Sequence, residues 1–280
     1  MSRVLITGAG GMLGQAVIKE LRERGDDFVG LTHQELDVTD KARVLELFSS
    51  QKPDLVIHLA AWTDVDGCER APEKAFTINE KGTENVARAC AKNKAKMIYL
   101  STDFVFDGKK KSPYTEDDPP HPLNTYGRSK LAGEKKVREN LKSYGIIRSS
   151  WLFGPGRDNF VTKVLSLAKT SVPLRLVEDQ VGTPTYSGDL ARALTELIKT
   201  TPQGIYHITN SGSASRYEWA KAILEYSGYK EVEVIPIKYK DFSELAPRPS
   251  YSVLGSSRLN LGLPHWREAL KSYIDEFTRA

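Results

Sequence analysis

The sequence predicts an α/β protein built on a doubly wound parallel sheet, with a smaller α/β region toward its C-terminus. Three observations carry this. Short apolar, β-branched runs alternate with stretches of helical spacing through the first half of the chain, the pattern of repeated βαβ units. The run DLVIHLAA (54–61) is almost wholly apolar, as a strand covered on both faces should be. After residue 150 the alternation continues with less regularity, and no linker separates two halves. The predicted units are therefore interleaved: 1–150, continued by parts of 174–210, and mainly 151–280. A chain of 280 residues can bury cores for both.

RVLIT (3–7) is the first strand and runs straight into glycines. In MLGQAVIKELRERG (12–25), Leu13, Val17 and Leu21 repeat at helical spacing, and Gly25 stands where a left-handed cap would end the helix. FVGL (28–31) is the second strand, and DKARVLELFSS (40–50) is a helix with Asp40 as N-cap. DLVIHLAA follows as the third strand. One helix is expected from about Pro72 to Lys92, then the strand MIYLS (97–101) and a helix carrying Tyr126. YGIIRSSWLF (144–153) reads as a further strand. Beyond it come a helix near 159–169, the stretch PLRLVEDQVGTPTY (173–186), a helix from Gly188 to Lys199, the strand GIYHIT (204–209) and the helix SRYEWAKAILEYS (215–227). VEVIPIKYKDF (232–242), APRPSYSVLGSSRL (246–259) and the helix HWREALKSYIDEFTRA (265–280) complete the smaller region.

Bulk properties exclude several function classes. Hydrophobic residues make up 40% and charged residues 27%, ordinary for a soluble globular protein. The net charge of +4 is spread along the chain, and the one dense run, Lys109–Lys111, sits in a turn-rich stretch, so nothing points to nucleic acid. No apolar segment has the length to span a bilayer, and the start lacks the form of a signal peptide. Cys68 and Cys90 are too few for a disulfide framework and read as buried helix residues, which places the protein in a reducing cytoplasm. Histidines 33, 58, 121, 207 and 265 are scattered, and no His/Cys/carboxylate cluster has metal-ligand spacing.

Between the first strand and helix, ITGAGGMLGQ holds Gly8, Gly11 and Gly14 as G-x-x-G-x-x-G. Glycine there allows a tight turn and a close backbone approach to a pyrophosphate, which the helix N-terminus attracts. The second strand ends in Leu31-Thr32-His33-Gln34. Thr32 stands where an acid would select a ribose hydroxyl or an arginine a 2′-phosphate, so NADPH and NADH both stay open. LSTDFVFDG puts Thr102 and Asp103 at the C-terminal end of a strand, the edge at which parallel sheets bind ligands. Tyr126 and Lys130 are four apart on one helix face. A phenol with a pKa of about 10 exchanges protons poorly at neutral pH, and an adjacent ammonium would lower that value. Thr102, Tyr126 and Lys130 thus make a complete proton-transfer set, and a reduction is the expected chemistry.

With TGAGGMLG, STDFVFDG and YGRSK in this order, the chain resembles the extended short-chain dehydrogenase/reductases. HLAAWTDVDGCE, TYGRSKLAGE, IIRSSWLFGPGRDNFV, EDQVGTPTY and RPSYSVL extend the resemblance to the dTDP-4-dehydrorhamnose reductase branch, over residues 4 to about 254. The resemblance implies a Rossmann-type nucleotide-binding unit and a substrate-binding C-terminal region. It further implies reduction of the 4-keto group of dTDP-6-deoxy-L-lyxo-4-hexulose to dTDP-L-rhamnose. Tyr126 would donate the proton and Lys130 hold the nicotinamide ribose. By the same match Gly11, Met12 and Leu13 would meet the pyrophosphate, Asp37 and Val38 the adenine, and Ala60, Ala61, Thr63 and Leu100 the rest of the cofactor groove. Thr102, Asp103 and Trp151 would contact the sugar, with Val65 nearby. Asn159 and Arg248 are the candidates for the substrate diphosphate, ahead of Arg258. Some members are paired through a divalent cation, so a homodimer with Mg2+ at its interface is also admitted, although no ligand set carries over. Three departures stand out: Phe104 where tyrosine is usual after S-T-D, Tyr251 where asparagine is common, and His58-Leu59 where asparagine precedes A-A.

Two other readings share the scaffold. Non-catalytic, NADP-binding regulatory subunits of methionine adenosyltransferase keep the glycine loop, but the intact Thr102, Tyr126, Lys130 and Trp151 favour an enzyme. Dehydratases carry an Asp-Glu pair after this strand, whereas Asp103 is followed here by Phe104. A reductase of a related nucleotide-linked 4-keto sugar remains the nearest alternative substrate assignment.

Overall fold

The computed structural model describes residues 3–170, 172–200, 203–242, 244–259 and 261–279; Met1 and Ala280, the outer ends of the two predicted units, lie outside the described residues. The first half builds β1 (Val4–Thr7), α1 (Met12–Arg24), β2 (Phe28–Leu31), α2 (Lys41–Gln51), β3 (Leu55–His58), α3 (Val65–Arg70), α4 (Pro72–Phe76), α5 (Thr83–Asn93), β4 (Lys96–Thr102), α6 (Thr125–Asn140) and β5 (Tyr144–Ser149). Asp40 caps α2 by accepting from the Arg43 amide, and Gly25 ends α1 at φ 70°, both as the sequence predicts.

The remainder adds β6 (Leu152–Phe153), α7 (Phe160–Ala168), β7 (Leu174–Val177), β8 (Val181–Gly182), β9 (Thr185–Tyr186), α8 (Ser187–Thr200), β10 (Gly204–His207), β11 (Ala214–Ser215), α9 (Arg216–Tyr226), β12 (Val234–Ile237) and α10 (Trp266–Arg279). Strand GIYHIT therefore ends two residues short of its predicted 209. Six strands form one parallel sheet in the order β10-β5-β4-β3-β1-β2. Connections leave β1 toward β2 and then return past it to β3, so the winding direction reverses between β1 and β3. That reversal opens a crevice at the C-terminal strand ends.

Helices cover both sheet faces. Val44, Phe48, Val86 and Val137 pack against one face, and Val17, Leu21, Leu190 and Leu194 against the other, all fully buried. This double cover explains why β3 is apolar throughout. Another core joins Phe153 to Trp219, Trp266 and Tyr273, so segments more than a hundred residues apart share one apolar cluster.

Two predicted elements are broken, each beside the crevice. The expected helix 72–92 is divided by a π-helical turn at Thr77–Gly82, and the unpredicted α3 precedes it. This wider turn carries Asn79, whose side chain accepts from the Trp62 amide (2.8 Å) and donates to the Trp62 carbonyl (3.1 Å), tying down the loop after β3. A Cβ on Gly82 would lie 2.7 Å from Val38, so the turn packs closely there. Expected strand 144–153 stops at Ser149. Ser150 donates to the Thr183 carbonyl (2.7 Å), and Trp151 takes φ 45° before β6 resumes beside β9.

Candidate active site

A cleft of about 930 Å³ lies along the C-terminal strand ends. Gly8, Gly11, Met12, Leu13, Gly14, Thr32, Asp37, Val38, Ala60, Ala61, Thr63 and Leu100 border it, as do Val65, Thr102, Asp103, Tyr126, Trp151 and Asn159. Arg248 does not. Among the described residues no three His, Cys, Asp or Glu side chains come together as a metal-ligating group.

At the glycine turn, the sequence leaves α1 without a cap of its own. Gly11 is the N-cap, no side chain bonds the first-turn amides, and no acid sits in that turn. By contrast α2, α6, α7 and α9 are each capped by a side chain. The orphan N–H groups of α1 and its positive dipole end face the cleft, so the residues present fit a dinucleotide pyrophosphate. Close packing sets the other glycines: a Cβ on Gly14 would lie 2.4 Å from the Gly8 carbonyl oxygen. Past β2, the Thr32 amide and hydroxyl both donate to Glu35 (2.8 and 2.7 Å). Asp37 accepts from the Thr39 amide and hydroxyl (2.9 and 2.8 Å), and its carbonyl accepts from the Asp40 amide (3.1 Å).

Beneath this groove lies a buried relay. The Ala60 amide approaches the Thr7 hydroxyl (3.4 Å), which donates to His58 Nδ1 (2.6 Å). His58 Nε2 then donates to Thr83 Oγ1 (3.1 Å), which donates to the Asn79 carbonyl (2.8 Å). The partners fix this tautomer, because Thr83 spends its proton on a carbonyl. Burial, reinforced by the Lys130 charge, pushes His58 down to about 3, so it stays neutral. Taken as one of five scattered histidines, His58 carries no sequence signal; its partners come from β1 and α5.

Tyr126 follows the Asn124 N-cap of α6, whose side-chain Oδ1 accepts from the Gly127 amide (2.8 Å). Its ring meets Phe104 edge-on at 5.9 Å. Burial raises the Tyr126 phenol above the ordinary tyrosine range; the Thr102 hydroxyl opposes that rise and the Asp103 charge adds to it. This corrects the expectation that Lys130 lowers it. Lys130 is buried, donates to the Leu100 carbonyl (2.7 Å) and lies 4.2 Å above the Tyr99 ring. Burial brings Lys130 down to about 7, and Glu134 one turn away pulls it back up. Tyr126 is thus a fully protonated acid, beside a lysine poised near neutrality.

Thr102 Oγ1 donates to Asp103 (3.1 Å) and accepts from the Phe104 amide (3.2 Å), which turns the chain sharply after β4. Asp103 is 2% exposed, and burial raises its carboxyl to about 6 against the pull of the Ser252 and Thr102 hydroxyls and the Arg216 charge. Its Oδ2 has no hydrogen-bond partner among the described residues, as suits a carboxylate awaiting a ligand hydroxyl. The Trp151 ring stacks on Trp219 at 5.7 Å and against the Arg216 guanidinium at 3.5 Å.

The diphosphate candidates are otherwise engaged. Asn159 caps α7, accepting from the Val161 and Thr162 amides and donating to the Gly154 and Arg157 carbonyls. Arg248 pairs with Asp66 (2.7 Å) and Glu244 (3.0 Å) away from the cleft wall, and Arg258 pairs with Asp117. Arg216, which the sequence reading passes over, borders the cleft instead. One signal could have marked it: it opens α9, where a helix dipole disfavours a cation. Cys68 and Cys90 are buried and unpaired, and burial pushes the Cys68 thiol up to about 12, outside any nucleophilic range.

Residues 2–279 match the family described as RmlD substrate binding domain. Over 283 residues the chain is 42% identical to the spore coat polysaccharide biosynthesis protein SpsK of Bacillus subtilis, covering 100% of this chain and 99% of that one. A dTDP-4-dehydrorhamnose reductase from Clostridium acetobutylicum superposes with a TM-score of 0.96 at 39% identity, over 99% of both chains. The Bacillus anthracis dTDP-4-dehydrorhamnose reductase in complex with NADP superposes at 0.94 with 39% identity, over 98% of this chain and 99% of that one.

Proposed function

Because the chain belongs to the family described as RmlD substrate binding domain, we propose that it is an NAD(P)H-dependent oxidoreductase of dTDP-rhamnose formation. It reduces the 4-keto group of dTDP-6-deoxy-L-lyxo-4-hexulose to give dTDP-L-rhamnose. The observation that carries this is one cleft holding an uncapped glycine turn together with Thr102, Asp103 and Tyr126.

Bound NADPH or NADH supplies the hydride. The protein's part is to hold, orient and protonate. Tyr126 keeps its proton at working pH and gives it to the oxygen developing at C4. That alkoxide is a stronger base than the phenolate left behind, so a raised tyrosine pKa does not obstruct the step. Thr102 orients the same oxygen, and Asp103 Oδ2 accepts from a sugar hydroxyl. Lys130 would donate to the ribose hydroxyls of a bound cofactor, and its charge would offset the phenolate. Thr32, Asp37, Val38, Ala60, Ala61, Thr63 and Leu100 line the cofactor's part of the groove; Trp151 and Val65 line the sugar's.

Phe104 brings no hydroxyl to the cleft wall, and this favours a second reading in which the substrate is a related nucleotide-linked 4-keto sugar. The cytoplasm is its proposed home, on two unpaired, buried cysteines. A homodimer, with or without Mg2+ at its interface, rests on the family resemblance, and sedimentation with and without a chelator tests it.

The deciding experiment uses NADPH deuterated at C4 of the nicotinamide, with dTDP-4-keto-6-deoxyglucose and a 3,5-epimerase. Deuterium at C4 of a dTDP-6-deoxyhexose is the expected product by NMR. Cofactor binding without deuterium transfer would sink the assignment to this substrate.

A further inference from the structure

Three cations border the cleft: Lys74, Arg157 and Arg216. Lys74 and Arg157 are exposed, and the Lys74 ammonium lies over the Trp62 ring at 4.6 Å. Arg216 alone is built in. Its guanidinium carbon sits 3.5 Å from the Trp151 ring centroid, 5.1 Å from Phe160 and 5.5 Å from Trp219. Such stacking fixes the guanidinium plane but uses none of its N–H donors. No hydrogen bond or ion pair joins Arg216 to any described residue.

The nearest acids are Asp103 and Glu244, and neither hydrogen-bonds to it. Glu244 is held by Arg248 at 3.0 Å, and Asp103 receives the Thr102 hydroxyl. Burial lowers Arg216 only to about 10, so it is charged at neutral pH. The charges of Asp103 and Glu244 favour the charged guanidinium, but neither acid bonds it, so the N–H donors of a ring-caged cation are left for an anion to complete. The protein has arranged the cage at some expense: Trp151 holds a backbone conformation that side-chain-bearing residues disfavour. A Cβ on Gly182 would stand 2.4 Å from the Trp151 ring, so the indole has no room to retreat on that side.

We propose that Arg216 is the anion-binding residue for the diphosphate of the nucleoside-diphosphate sugar, pinned by Trp151, Phe160 and Trp219. This rests on the reading of the substrate given above. The cofactor's own pyrophosphate is served by the uncapped end of α1, whereas Arg216 shares its wall with Asp103 and Trp151. Its forked donors match two phosphate oxygens, and the ring cage presents them already oriented.

Titration calorimetry with dTDP and with thymidine, on wild type and Arg216→Met, tests the assignment. Wild type should bind dTDP more tightly than thymidine. Arg216→Met should weaken dTDP by about tenfold or more, the worth of charge-assisted bonds to phosphate, while thymidine and NADPH affinities hold. Arg216→Lys, which keeps charge but loses the fork, should fall between and shows that the effect does not come from misfolding. Equal dTDP affinity in wild type and Arg216→Met overturns the proposal, as does a wild type that binds dTDP no better than thymidine. If dTDP binding depends on Arg216 while no nucleotide sugar is reduced, the subsite stands and the reductase reading falls. If reduction proceeds and Arg216→Met binds dTDP normally, the reverse holds.

Discussion

His58 shows how a single buried side chain can support a groove it never enters. Replacing it by leucine leaves the Thr7 and Thr83 hydroxyls without their ring partner, and urea unfolding at pH 7.5 should show a loss of about 1–3 kcal/mol. The folded pKa near 3 lies below the unfolded value of about 6.5. The unfolded chain therefore binds the extra proton between those values, and falling pH costs the wild type stability that His58→Leu cannot lose. By pH 5 that cost approaches about 2 kcal/mol, so the deficit of the variant should largely close. A deficit unchanged from pH 7.5 to pH 5 would contradict the neutral relay. Tyr126, Lys130 and Thr102 were legible because their spacing is local and their strand-end context reads directly. His58 and Arg216 were not, since each gains its meaning from segments brought together only by folding.

Among the elements, the interruption between β5 and β6 matters most for the site. Its sequence, IIRSSWLF, is as apolar and β-prone as any strand, and nothing local announces that Trp151 turns aside. The cause is tertiary: Thr183 takes the Ser150 hydroxyl, and Gly182 makes room for the indole. Gly182→Ala should push Trp151 off its place while leaving β1, α1 and the cofactor groove intact. We expect kcat/KM for the nucleotide sugar to fall about ten- to a hundredfold, the cost of a misplacement near 1 Å, with NADPH affinity unchanged. Equal loss of both would mean that the cleft is not divided in this way. The helix 72–92 failed to read as three pieces for the same kind of reason. Its π turn exists to bring Asn79 onto the Trp62 backbone, a contact across seventeen residues.

Across the whole molecule, alternating βα segments made the parallel sheet readable, because each strand buried on both faces must be nearly all apolar. The second core was harder, since Phe153, Trp219 and Trp266 come from distant segments with no shared period. Within the first region, a buried ion pair ties the sheet to one of its covering helices. Arg148 on β5 grips Glu134 on α6 through two bonds (2.9 and 2.7 Å), and Ser101 on β4 donates to the same carboxylate (2.6 Å). Glu134→Gln strands the buried guanidinium and should cost about 3–5 kcal/mol by urea unfolding. It also removes the charge that holds the Lys130 pKa up, so the basic limb of the kcat/KM profile should move to lower pH. An unshifted limb would separate Lys130 from catalysis. The most direct test of the central claim compares NADPH oxidation by wild type and Tyr126→Phe under saturating nucleotide sugar. A hundredfold or greater fall in kcat, about the size expected for losing a positioned acid, with NADPH affinity preserved, is the predicted result. Turnover by Tyr126→Phe at the wild-type rate would contradict the claim that this phenol supplies the proton.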